Sequence, residues 1–232
     1  MKKCHAVKML SIFVVTYTFL SCHKNTPQNP TLEALSKGLI AYYPFANNLI
    51  DSSGNGHNGT GLGNISFVPN HLGKPNSALA LGAVRVTTAN FFTFQKTDSF
   101  AVSLWFTMSS NSSTGRLIST ECPEGNFRMG AYNNGIYGFQ YGGFYLFDTV
   151  ALNTWNHLVY IYNNRNYHFY KNGQLKYTGF DTNEESLNYC APFTIGAKAS
   201  PAYDTWEGSV DNIRIYNRPL SEGEVKYLFE NL

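Results

Sequence analysis

The stretch WNHLVYIYNNRNYHFYKNGQLKYT, residues 155–178, decides how the chain folds. Asn163-Asn164 and Asn172-Gly173 each stand between runs rich in aromatic and β-branched residues. Both pairs tolerate positive φ, so each suits a tight hairpin turn and three neighbouring antiparallel strands follow. Side chains alternate along a strand, which sets Tyr167 and Phe169 on one face and Asn166, His168 and Tyr170 on the other. One of those faces must be core.

The same texture continues on both sides. Strand bias marks residues 39–45, 78–81, 100–108, 116–120, 127–132, 136–141, 193–195 and 210–216, all broken by Gly, Asn, Asp or Pro. Within 136–141, Tyr137, Phe139 and Tyr141 fall on a single face, as core or as a stacking platform. Ser221 with Glu224 three residues on forms a capping box, predicting a helix over about 222–229 that seals an edge. Charged residues make up only 14% of the 232, aromatics 16%, with 16 Tyr, 17 Phe and 20 Gly. That balance excludes disorder and coiled coil and predicts an all-β sandwich of two antiparallel sheets.

Lys2, Lys3 and Lys8 precede an apolar run over 9–20 that ends at Ser21-Cys22. The run is too short to span a bilayer, which takes about 20 residues, and fits the apolar region of an export signal over 1–21. Phe19-Leu20-Ser21-Cys22 resembles a bacterial lipobox, although Phe19 departs from its usual aliphatic residue. Cys22 then becomes a lipidated N-terminus, residues 22–35 a polar linker and residues 36–232 the folded domain; ordinary cleavage near Ser21 is the alternative. The expected address is the bacterial cell envelope, at the outer membrane or cell surface, with the lipid as the only membrane contact. Three of the 17 basic residues stand in the leader, so the remainder sets 14 against 15 acids. A chain so nearly neutral has no electrostatic footprint for nucleic acid. Cys4 leaves with the leader and Cys22 is taken by lipid; Cys122 and Cys190 remain, either bridged by a disulfide in the exported compartment or two buried free thiols.

Three stretches together resemble the laminin G-like, concanavalin A-like jelly roll of lectins and glucanases. They are Gly38 to Phe45 leading into Asp51 to Gly59, Trp155 to Val159 running on to Tyr170 to Leu175, and Glu207 to Ser221. The resemblance covers about Leu35 to Phe229. It implies a jelly-roll sandwich, and a function among carbohydrate recognition, protein adhesion and, less in keeping with the residues, glycoside hydrolysis.

The resemblance further implies one structural calcium where the Asp51 loop meets the penultimate strand. Asp51 and Asp211 would supply carboxylates, and Asn55, His57 and Asn58 carbonyl or amide oxygens, toward the six to eight that calcium takes. A Gly-rich surface loop with local turn bonds is the alternative. For hydrolysis two carboxylates must stand about 5–10 Å apart. Glu184 and Glu185 are sequence neighbours on opposite faces, and Glu207 and Asp211 lie about 13 Å apart along one strand. The glucanase strand motif of alternating acids is missing, so no catalytic residue is assigned. Sugar recognition needs aromatic faces and a few polar groups. Arg128, Tyr132, Tyr141 and Tyr145 in one Gly-rich region, with Tyr203 in a second loop that also carries Trp206 and could approach it, are the expected ligand-binding residues for a glycan, a surface protein being the other partner class. Trp105 and Trp155 read as core.

Overall fold

A computed structural model describes residues 32–82, 84–89, 91–94, 97–110, 115–122, 125–132, 135–140, 143–182, 192–198 and 205–232. One sheet contains β1 (Leu39–Tyr43), β3 (Ser66–Val68), β4 (Ala78–Leu81), β6 (Ser99–Met108), β11 (Asn156–Asn163), β12 (Asn166–Lys171), β13 (Gln174–Phe180) and β15 (Gly208–Tyr216). Its order is β13-β12-β11-β6-β15-β4-β3, with β1 also on β15. The second contains β2 (Thr60–Leu62), β5 (Arg85–Thr87), β7 (Gly115–Cys122), β8 (Gly125–Tyr132), β9 (Gly135–Gln140), β10 (Gly143–Thr149) and β14 (Thr194–Ile195), ordered β10-β9-β8-β7-β14-β5-β2. All ladders between these strands are antiparallel. This is the expected all-β jelly-roll sandwich, closed by the short helices α1 (Leu32–Ser36) and α2 (Glu222–Asn231).

The deciding stretch folds as its turns dictate, with one shift. Asn172 and Gly173 take φ of 50° and 74° and connect β12 to β13. The first turn is Asn164-Arg165, at φ 46° and 69°, because Asn163 still pairs with Asn166. Tyr167 and Phe169 point into the core, and Tyr170 lies on the opposite side of the sheet. Between the sheets, Phe100, Val102, Leu104 and Phe106 of β6 with Leu158, Tyr160 and Tyr162 of β11 meet Leu117, Ile118, Phe127, Met129 and Ile136. Each large side chain so buried contributes about 1.5–3 kcal/mol. Trp206, expected in a ligand loop, belongs to this core; its Nε1 donates to the Thr107 carbonyl at 2.8 Å.

The outer face of the eight-stranded sheet has a second apolar layer. Ala101, Val159, Ile161, Tyr170 and Tyr216 pack against Val225 and Leu228 of α2 and Leu35 of α1. So α2 lies across a sheet face rather than along an edge. Its capping box forms as predicted: the Ser221 side chain accepts from Glu224 N, and the Glu224 carboxylate accepts from Ser221 N at 2.8 Å. Because Leu35 is buried here, the last residues assigned to the linker are part of the fold. Arg218 ties the two ends together, donating to Ala34 O, Lys37 O and both Glu224 oxygens. Among the described residues no helix is long and apolar enough to cross a membrane.

Candidate functional site

Since helices roof one sheet, the outer face of the seven-stranded sheet is where a ligand can lie along a sheet. Its composition follows from register. Phe127 and Met129 of β8 are core, so Arg128 points away from it. Directly paired residues share a face. One row across the sheet therefore reads Thr60, Thr87, Thr194, Ser119, Arg128, position 139 (Phe) and position 144 (Phe). The next row reads Arg116, Gly130, position 137 (Tyr) and position 146 (Leu). At the β14 end the face is covered: Thr194 and Ser119 are buried, their hydroxyls donating to Pro192 O and Ala197 O. On β7 and β8 Arg116 and Gly130 are buried and Arg128 is half-buried.

Of the expected ligand residues, Arg128 is on this face, and Tyr132 pairs with Gly135 two positions on, in the same alternation. Position 145 pairs with Gly138 and through it with Met129, which places it in a core row and not beside Arg128. Tyr141 and Tyr203 lie outside the described residues. A bridge between Arg116 and Thr205 sets the end of the second loop against β7. The alternation of Tyr137 and Phe139 is visible in the sequence; the place of Arg116 is not, because its offset from Arg128 is interrupted by a bulge between Arg116 and Ile118.

The glycine-rich loop is built around Asp51. Its Oδ1 accepts the backbone N–H groups of Tyr42 and Ser53, both at 2.9 Å; its Oδ2 accepts the Ser53 hydroxyl at 2.9 Å and His57 N at 3.0 Å. Burial works to raise the carboxyl, but these donors outweigh it and hold Asp51 below its ordinary value. Asn58 Oδ1 accepts from Asp51 N, the Asn55 amide donates to the carbonyls of Leu39 and Ile40, and the His57 carbonyl accepts from the Tyr43 hydroxyl. Asp211 has a different partner, His71, at 2.7 Å. These residues do not fit a calcium ion: the oxygens a cation needs face hydrogen-bond donors instead. Among the described residues no three His, Cys, Asp or Glu side chains converge as metal ligands. Cys122 pairs with Gly125 at the end of the β7–β8 ladder, while Cys190 and Cys22 lie outside the described residues.

A polar cluster sits under the end of α2. His71 stacks on Trp105 at 4.0 Å and 6°, and Trp105 packs on Phe229 at 5.7 Å. Ser103 Oγ and His157 Nε2 are joined at 2.8 Å. Burial, with Arg214 and His71 behind it, presses the His157 imidazole down to about 3. Trp105 is nearly buried, but against α2 rather than in the central core, and Trp155 is half-buried.

The model of the concanavalin A-like lectin/glucanases superfamily matches residues 82–226. The chain belongs to this superfamily. Among solved structures, this concanavalin A-like chain is similar to domain 4 of AbnA, an extracellular arabinanase from Geobacillus stearothermophilus in complex with arabinotriose. The two are 21% identical over 83% of this chain and 98% of that one, with a TM-score of 0.69. It is also similar to botulinum neurotoxin type C, whose cell entry is described as dependent on two ganglioside molecules, at 17% identity, 86% and 52% coverage and a TM-score of 0.67. A third is the binding domain of botulinum neurotoxin DC in complex with rat synaptotagmin II, at 18%, 83%, 51% and 0.65. The chain spans about half the length of the two neurotoxin chains. These likenesses show the fold. A comparison with curated protein sequences finds no match.

Among the described residues of this concanavalin A-like domain, each buried acid has a structural partner. Asp51 holds its loop, Asp181 accepts from the Tyr162 hydroxyl at 3.1 Å, Asp211 holds His71 and Glu224 holds Arg218. Glu207 is exposed, immediately before β15.

Proposed function

We propose that this chain is a noncatalytic carbohydrate-binding domain, and that the outer face of its seven-stranded sheet, around Arg128, takes the ligand. The observation that carries this reading is the pair of lateral rows. They run from hydroxyl positions, covered at the β14 end, through Arg128 to ladder positions held in the sequence by aromatic residues, and guanidinium and aromatic residue types are those that suit sugar hydroxyls and C–H surfaces. The arabinotriose held by the similar arabinanase domain supports a sugar ligand, as does the partnering of each buried acid among the described residues with a structural group. The Cys22 tether would hold such a domain at an envelope surface. A glycan array tests the reading: retention of a discrete set of oligosaccharides, lost in an Arg128→Ala variant that melts like the parent, is the expected result.

A protein ligand is the second reading, favoured by one observation: a neurotoxin domain of the same fold is described in complex with synaptotagmin II. A blank array together with stoichiometric capture of one protein, sensitive to Arg128, would select it. Glycoside hydrolysis would instead show as reducing-sugar release lost in Glu207→Gln or Glu185→Gln.

A further inference from the structure

We propose that the C-terminal half of α2 is an acid-opened flap: it closes over His157 while that imidazole is neutral and lifts from the sheet when the ring takes a proton.

An unmet polar atom under the helix carries the proposal. His157 is 1% exposed, its Nε2 is joined to Ser103 Oγ at 2.8 Å, and its Nδ1 has no hydrogen-bond partner among the described residues. Buried polar atoms are nearly always bonded, so such an exception costs free energy that opening the structure to water would recover. The cover over this ring is α2. Phe229 stacks on His157 at 6.1 Å and on Trp105 at 5.7 Å, and it packs so closely on the β12–β13 turn that a Cβ at Gly173 would stand 3.0 Å from its Cδ1. Phe229 is only half-buried, so the outer side of the cover meets solvent.

The helix is fastened unequally at its two ends. Its first turn is held by the Ser221 capping box and by the two bonds from Arg218 to Glu224, at 2.6 and 3.1 Å. Its last turn rests on the rings beneath it, with Asn212 Nδ2 donating to Leu232 O at 2.7 Å. An opening would therefore hinge at the first turn and free the last two.

The groups around His157 give an imidazolium no relief. From β15, Arg214 is itself cationic, and the Asp211 carboxylate is bonded to His71, which comes from the loop between β3 and β4. From β6 the ring meets Ser103 and Trp105, and from the β12–β13 turn Asn172, whose Oδ1 accepts His157 N at 2.8 Å. The charged residues in the last turns of α2, Lys226 and Glu230, are exposed and face each other at 3.8 Å. Burial first, then Arg214 and His71, hold the closed-state imidazole down at about 3 against an ordinary 6.5. A proton is thus refused while the flap is closed and taken up once water reaches the ring. Opening should gain about tenfold for each pH unit as pH falls from 6.5 toward 3.

Native-state hydrogen exchange on the folded protein, read at several urea concentrations below the unfolding midpoint, tests this. Amides of α2 from Val225 onward should exchange through an opening that urea barely promotes, because little surface is exposed, while those of β6 and β11 exchange through one that urea promotes steeply. Between pH 6.5 and 5 the α2 opening constant should rise about thirtyfold. His157→Gln should remove that rise. Phe229→Ala, which strips the cover and leaves the Ser103–His157 contact in place, should open α2 at pH 7 with β6 still protected. Exchange of α2 with the same urea dependence as β6 would overturn the flap, since the helix would then leave only with the whole fold. An α2 opening constant indifferent to pH, a pH-dependent rise that survives in His157→Gln, or undiminished α2 protection in Phe229→Ala would each overturn it as well.

Discussion

His71 and Asp211 meet at 2.7 Å, Nδ1 to Oδ2, from a loop and a strand that are 140 residues apart in sequence. The imidazole lies flat on Trp105, and both partners' side chains are at most 4% exposed. Burial raises the Asp211 carboxyl, and the His71 contact works against that rise. A buried carboxylate left without its partner is costly, about 3–5 kcal/mol when one half of such a pair is removed. His71→Ala should therefore destabilise the fold by about 3 kcal/mol in urea unfolding, and Asp211→Asn, which keeps a hydrogen-bonding amide, by clearly less. Equal small losses in both would show that the pair does not hold the loop to the sheet.

Asp51 closes its loop through four hydrogen bonds, so the loop should not depend on metal. Saturating a ligand site to a hundred times its dissociation constant stabilises a protein by about 2.7 kcal/mol. The expected result is an unchanged melting temperature with millimolar calcium or a chelator. Asp51→Ala, by contrast, should cost about 2–4 kcal/mol, the worth of several hydrogen bonds to a charged group. A melting shift of several degrees on adding calcium would reverse this assignment.

Acid should weaken the protein through His157. In the folded state its imidazole titrates near 3 against 6.5 for the free group. The unfolded chain thus binds a proton that the folded chain refuses, and stability present at pH 7 is lost as pH falls from 6.5 toward 3. The slope approaches about 1.4 kcal/mol per pH unit inside that window. The carboxylates that are held low, such as Asp51, add their loss only below the ordinary carboxylate range. Denaturant midpoints should fall between pH 6 and 4.5, and His157→Gln should flatten the profile there. A flat profile in the parent would contradict the burial of this ring as neutral.

Gly208 admits no side chain. At φ 150° an added Cβ would stand 2.0 Å from the Thr107 carbonyl oxygen, the acceptor of the Trp206 indole. Gly208→Ala should destabilise by more than about 3 kcal/mol, read in urea unfolding, because strand β15 and the Trp206 anchor must both shift. A loss under about 1 kcal/mol would mean that β15 can move away from β6 at little cost.

The fold was legible because its signals are local. Alternation along 167–170, the Asn172-Gly173 turn and the Ser221–Glu224 box each depend on residues within a few positions of one another. Short strands such as β2, β3 and β5 escaped, since three residues give alternation too little length to show. The candidate site was legible only in part. Arg128 lies on the outer face, opposite Phe127 and Met129, while the ladder partners of positions 132 and 145, Gly135 and Gly138, come from a register that no local pattern encodes. Likewise nothing near His71 announces Asp211, and nothing near Asp51 tells a hydrogen-bonded turn from a metal loop: both use the same oxygens.

The face assigned to the ligand is tested most directly by amide chemical-shift mapping during titration with the best-retained oligosaccharide. The largest changes should fall at Arg128, Gly130 and positions 137 and 139, on β8 and β9. Changes confined to the 51–59 loop, or to α2 and the sheet beneath it, would place the ligand elsewhere and refute the assignment.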